Sequence, residues 1–138
     1  MSAINRELIE KIEQWLAYGD EDLLFAKHGM TIENDTPYRL IAYHAQQCAE
    51  KYIKAYLVYH KVDIPYTHNI SHLLELLPET ELYNKLFDAE ELTPFAVMIR
   101  YPGEDEPVTE SEVKKALEIA SMVREIIRAA LLKKGIAL

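Results

Sequence analysis

His44, Gln47, Lys51 and Lys54 recur at three- and four-residue steps, so on a helix they share one side. An imidazole, an amide and two ammonium groups placed this way could hold a phosphate or the polar edge of a nucleotide. The lysines would supply charge and the amide a directed hydrogen bond. The same residues also suit a solvated face, because Glu50 and Lys54 form an i,i+4 pair of the favourable orientation and Gln and Lys are ordinary helix formers. Further on, His68 and His72 stand four residues apart, a spacing that could present two nitrogens to zinc. The chain there reads His-Asn-Ile-Ser-His, without the glutamate of a metalloprotease helix and without an evident third ligand. The pattern therefore assigns no metal, and His68 reads as a hydrogen-bonded element of a turn. Arg100 follows an apolar run and directly precedes Tyr101-Pro102, at a helix end where a guanidinium fork can meet a carboxylate, a carbonyl or a phosphate.

Other chemistries find no support. The chain has no phosphate-cradling glycine run, no paired cysteines and no Ser/His/Asp grouping with a local signature, and nothing in it calls for a cofactor. Its one cysteine, Cys48, falls in an apolar helical pattern and reads as a small buried hydrophobe. A net charge of −8 argues against a protein that coats nucleic acid, since phosphate affinity rests on Lys and Arg displacing counterions. DNA is not expected as a partner, and RNA ranks behind a nucleotide. Arg124, Arg128, Lys133 and Lys134 crowd the last helical segment, where cations suit the helix C-terminus and stay solvated. The apolar runs fall short of the ~20 residues that cross a bilayer, and acidic residues appear by position 7. No membrane association and a cytoplasmic location are the expectations.

The elements that must carry these side chains are helical. Leu8, Ile12, Trp15, Leu16, Leu23 and Ala26 keep one register through Gly19, predicting a helix over about 4–29 in which Gly19 admits a close neighbour. Thr36-Pro37 reads as the start of a second helix reaching about Lys61, with Ile41, Ala45, Cys48, Tyr52, Ala55 and Tyr59 as its core stripe. Thr67 or Asn69 caps a short helix over Ile70 to Leu77. A fourth segment begins at Thr80 and resumes around Leu92 to Ile99, kinked or restarted by Pro94. Thr109-Glu-Ser-Glu112 is a capping box opening the last helix, whose inward face is Val113, Ala116, Leu117, Ala120, Val123, Ile127 and Leu131. No segment sustains period-two alternation. The expectation is one all-α domain over 1–138, an antiparallel up-and-down bundle of four to five helices. Tyr38, Tyr43, Tyr56 and Tyr66 exceed what one core needs and suggest an exposed aromatic stripe, hence a homodimer.

Three ordered elements, His44-Ala-Gln-Gln-Cys-Ala-Glu-Lys-Tyr-Ile-Lys-Ala-Tyr56, Thr67-His-Asn-Ile-Ser-His-Leu-Leu74 and Arg100-Tyr101-Pro102, give a chain that resembles the HEPN family over about residues 8 to 130. The resemblance implies a helical bundle that pairs through its helices. Many members lie beside a minimal nucleotidyltransferase, while another branch cuts RNA with an arginine followed after four to six residues by a histidine. Arg100 corresponds by position to that arginine, but Tyr-Pro-Gly-Glu-Asp-Glu-Pro follows and contains no histidine. Arg39 and His44 have the spacing but lie early in the second helix. The resemblance therefore implies a non-catalytic, homodimeric module that binds a nucleotide or a nucleotidyltransferase partner through His44, Gln47, Lys51, Lys54, His68, Arg100 and Tyr101. The alternatives are a ribonuclease toxin of a toxin–antitoxin pair, using Arg39 and His44, and a ligand-free protein-interaction bundle.

Overall fold

A computed structural model describes residues 5–96 and 107–138. Its elements are α1 (Arg6–Gly29), α2 (Tyr38–Tyr59), α3 (Ile70–Leu74), α4 (Thr80–Leu86), a 3₁₀ helix (Phe87–Ala96) and α5 (Glu110–Lys133). Among the described residues there is no strand, and the architecture is an all-α bundle. Asn5 caps α1 through the Glu7 amide, and the helix runs unbroken through Gly19. That glycine has a steric reason: a Cβ there would lie 2.7 Å from Tyr52 Cδ2. The absence of a side chain lets α1 close on α2, which offsets the ~1 kcal/mol that glycine costs inside a helix.

Side-chain contacts fix the directions. Trp15 lies against Lys54 and Asp22 against His44, so α1 and α2 run antiparallel. Val113 packs with Ala26, Ile41 and Ala42, while eleven residues on Arg124 reaches Asp20 beside Tyr52, which makes α5 antiparallel to α1 and parallel to α2. The return between α2 and α5 is broken into α3, α4 and the 3₁₀ helix, with Pro94 inside the last, where α-helical bonding has already given way. α2 is the central rod. Its expected stripe is buried apart from half-buried Tyr59, but Ala42, Ala49, Ile53, Tyr56 and Leu57 are buried as well, so apolar contact nearly encircles the helix.

Three local expectations are corrected. Thr36 does not cap α2: its hydroxyl donates back to the Ile32 carbonyl, and Pro37 holds the cap position without a side-chain bond. α3 stops at Leu74, capped by Asn69 through the His72 amide. Tyr56 belongs to no exposed stripe; it is a core residue, while Tyr66 is 99% exposed and Tyr38 and Tyr43 are half-buried. The capping box of α5 is present in both bonds, Glu112 N to Thr109 Oγ1 at 3.1 Å and Thr109 N to Glu112 Oε1 at 3.0 Å. At its other end Gly135, at φ 91°, lets the Ile136 amide bond the Leu131 carbonyl and the Gly135 amide that of Leu132, and buried Ile136 tucks the tail inward.

Candidate functional site

The expected site residues of α2 lie along one edge of that rod, and each charged one is held by a carboxylate. Asp22 of α1 serves the upper part: His44 Nδ1 lies 2.8 Å from Oδ1, and Lys51 Nζ 2.5 Å from Oδ2. The carboxylate fixes the imidazole from one side while the rings of Phe25 and Tyr43 pack against it, with centroids 4.8 and 5.3 Å away. The His44 side chain keeps 24% exposure.

Glu50 serves the lower part, where it and Lys54 are buried while His68 stays half exposed. Its Oε1 receives Gln46 Nε2 at 3.1 Å and faces His68 Nδ1 at 3.0 Å, while Oε2 takes Lys54 Nζ at 2.8 Å. Gln46 also donates to the His68 carbonyl and accepts from Gln47 Nε2 at 2.7 Å, which ties α2 to the loop before α3. Lys54 Nζ also sits 5.3 Å from the Trp15 ring centroid, within cation–π range. Burial by itself pushes the Glu50 carboxyl up, but the bonds from Lys54, Gln46 and His68 together outweigh it and hold the group below the usual carboxylate range. The Glu50–Lys54 pair read from the sequence is therefore real, but it is not a solvated surface pair. Side-chain exposure is only 3% for Glu50 and 11% for Lys54.

A third knot lies on the far side of α1. The Tyr52 hydroxyl donates to Asp20, whose Oδ1 also takes Arg124 Nε at 2.8 Å; Arg128 Nη1 lies 3.4 Å from the same hydroxyl. Of the cations expected to be solvated near the end of α5, Arg124 and Arg128 thus cross to α1, and Lys134 reaches Glu79 at 3.3 Å. Cys48 is fully buried, and desolvation, reinforced by Asp20 and Asp22, pushes its thiol up to about 12, which removes it as a nucleophile.

The structure thus brings together His44, Gln47, Lys51, Lys54 and His68. Arg100 and Tyr101 lie outside the described residues. Arg39 is exposed, and five positions along a helix turn it about 140° away from His44 around α2. Among the described residues no cluster of His, Cys, Asp and Glu could hold a metal ion. None of the described helices is long and apolar enough to cross a membrane.

Sequence reasoning misses Asp22 and Asp20, and reads Glu50 only as the solvated partner of Lys54. Asp22 and Asp20 sit mid-way along a 24-residue helix, where aspartate is a poor helix former. That misfit is the signal of a tertiary partner. For Glu50 the signal is the second apolar face of α2, which leaves little room for a solvated pair.

A family model for the HEPN domain matches residues 12–136. Among solved structures, TT1696 from Thermus thermophilus is similar with a TM-score of 0.69 at 22% identity, over 86% of this chain and 97% of that one. At that identity the likeness speaks for the fold alone. No curated protein matches the chain. The bundle is built around a nearly encircled second helix with the expected polar residues along its edge, and the family match spans almost the whole of it; the chain belongs to the HEPN domain family.

Proposed function

We propose that this HEPN domain is a non-catalytic recognition module: it pairs as a homodimer, serves a minimal nucleotidyltransferase partner, and presents His44, Lys51 and His68 along the α2 edge as its contact surface for that partner or a nucleotide, with buried Gln47 and Lys54 holding that edge in place from beneath. The observation that carries the reading is the pairing of that edge's cations with Asp22 and Glu50. Such pairing neutralises the edge and fixes its side chains. A surface of this kind recognises by shape and directed hydrogen bonds more than by attraction to phosphate. Homodimerisation by a bundle with exposed Tyr18, Leu24 and Phe25 on α1 is in keeping with aromatic enrichment at interfaces. Titration with labelled ATP and GTP should give saturable binding that Lys51→Met weakens. A flat titration at millimolar nucleotide removes the ligand half of the proposal. Light scattering that reports a monomer at tens of micromolar removes the dimer, and failure to co-purify with a co-expressed nucleotidyltransferase removes the partner.

One observation favours a second reading, a ribonuclease. Asp22 holds Nδ1 of a part-exposed His44, so Nε2 is the nitrogen left to carry a proton as a general base or acid. In that role His44 would take the proton of a ribose 2′-hydroxyl as it attacks its phosphate, the P–O5′ bond breaks to leave a 2′,3′-cyclic phosphate, and the departing 5′-oxygen takes a proton from water, with Lys51 on the same side of α2, in place of the Arg39 expected from spacing, countering the developing charge. Purified protein that leaves single-stranded RNA intact, or cleaves it equally well as His44→Ala, eliminates this activity.

A further inference from the structure

His60 caps the C-terminus of α2, and its Nε2 is the one buried side-chain polar atom without a hydrogen-bond partner among the described residues. Buried polar groups are paired in the great majority of cases, so an orphan of this kind calls for a physical account. Its surroundings supply one. Glu79, at the start of α4, lies with Oε1 3.5 Å from His60 Nε2 and 3.3 Å from Lys134 Nζ at the end of α5, while Oε2 accepts the Tyr56 hydroxyl at 2.5 Å. One carboxylate oxygen thus has two suitors from two helix ends, and only the lysine is charged when His60 is neutral. The remaining faces of the imidazole are covered by the Tyr56 and Tyr59 rings, at 4.8 and 4.9 Å, so the charged groups facing it are Glu79 and Lys134.

The same cluster walls a groove of about 470 Å³ between α4 and α5, floored by Tyr56, Leu82, Ile126, Ala129 and Ala130. Its rim sets Lys85, Lys133 and Lys134 against Glu79, Glu81 and Glu125, a balance that favours neither sign of ligand. What the geometry does specify is that Tyr56, Glu79 and Lys134 join three helices in its wall.

We propose that His60 is a proton-operated switch at the joint of α2, α4 and α5: neutral, it leaves Glu79 to Tyr56 and Lys134; protonated from solvent at Nε2, it takes Glu79 Oε1, displaces Lys134 and loosens the end of α5, widening the groove. Lys134 is the cap residue of the turn that tucks Ile136 into the core, so losing its anchor falls on the Leu131–Ile136 hydrogen bond. Burial, and to a lesser degree Lys134, hold the imidazole below its ordinary titration range against the pull of Glu79. A group depressed in the fold is charged more readily in the unfolded chain. Its contribution to stability is therefore complete above about pH 6.5 and is lost as pH falls through the folded value.

The test is an NMR titration of the full chain from about pH 7.5 to pH 5, following the His60 ring and the exchange protection of the Gly135 and Ile136 amides. The expected result is a His60 midpoint below about 6.5 and a parallel loss of roughly tenfold in Ile136 protection. His60→Gln should abolish the acid-driven loss. Lys134→Met should reproduce it at neutral pH without acid, and serves as the second probe should the glutamine variant fold poorly. Ile136 protection that stays constant while His60 titrates overturns the proposal, as does an acid response unchanged in His60→Gln.

Discussion

Glu50 and Asp20 each gather three side chains, but in different environments. Glu50 draws Gln46 and Lys54 from its own helix and His68 from the following loop; Asp20 draws Tyr52 from α2 and Arg124 and Arg128 from α5. The partner lists are alike, but side-chain exposure is 3% at Glu50 and 38% at Asp20. Coulomb attraction in water is worth about a twentieth of its value in a dry interior, so solvent, not the number of partners, decides which knot the fold depends on. Asp22, at 12%, stands between them and holds His44, whose side chain keeps 24% exposure. The buried knot is therefore architecture, and the intermediate one is where chemistry or recognition has room.

The largest effect should come from Glu50→Ala. It leaves the Lys54 ammonium buried without its carboxylate, and breaking a buried pair from one side costs about 3–5 kcal/mol, read as a shift of the denaturation midpoint. The pH dependence follows from the same residue. Its folded pKa lies below the unfolded one, so the folded state binds fewer protons between the two values and stability rises with pH there. The contribution is present above about pH 4.5 and is lost as acid passes the folded value. Glu50→Gln should flatten that acid limb.

Asp22→Asn should cost less, about 1.5–3 kcal/mol, the worth of charge-assisted bonds at a site water partly reaches. It also releases the His44 ring, so the His44 Nδ1 resonance should lose its hydrogen-bonded shift while the Glu50 knot stays intact. If instead the two knots fell together, the division between architecture and recognition edge would be wrong. Gly19→Ala tests the spacing that serves both. The added methyl meets the Tyr52 ring at 2.7 Å, and overpacking of this kind costs about 1–3 kcal/mol even though alanine is the better helix former.

The sequence reading and the structure agree wherever local physics governs. The register through Gly19, the capping box at Thr109 and Glu112, and the inward face of α5 follow from spacing and hydrogen-bond need alone, and all are present, with Leu117 half-buried on that face. Disagreement begins where burial depends on what other elements cover. Lys54 and Glu50 look like a surface pair when α2 is read as a one-face stripe, and only Ala42, Ala49, Ile53 and Leu57 on its other side reveal a rod with little solvated surface. Tyr56 looks surplus to the core until Glu79, from a distant turn, supplies an acceptor for its hydroxyl. Long-range carboxylates carry no periodic signal of their own, which is why Glu50 can be read from its spacing to Lys54 while Asp22, the partner of Lys51 and His44, cannot.

Arg124→Gln makes the opposite case to Glu50 and should have the smallest effect. Arg124 sets only its Nε on Asp20, at 2.8 Å, and both side chains are more than a third exposed. The bond to Asp20 holds the guanidinium above its ordinary range. An exposed pair of this kind is worth about 0–1 kcal/mol, because water and salt screen it and two side chains are held still to make it. Arg128 stands 3.9 Å from Asp20 Oδ2, close enough to take over part of the role. The loss should therefore stay under about 1 kcal/mol and shrink further as salt is raised, whereas the loss at Glu50 should be nearly independent of salt. A double variant of Glu50 and Arg124 should show additive losses, because the two knots share no partner. Strong coupling between them would mean that α2 transmits strain across its width, and that exposure alone does not rank the two sites.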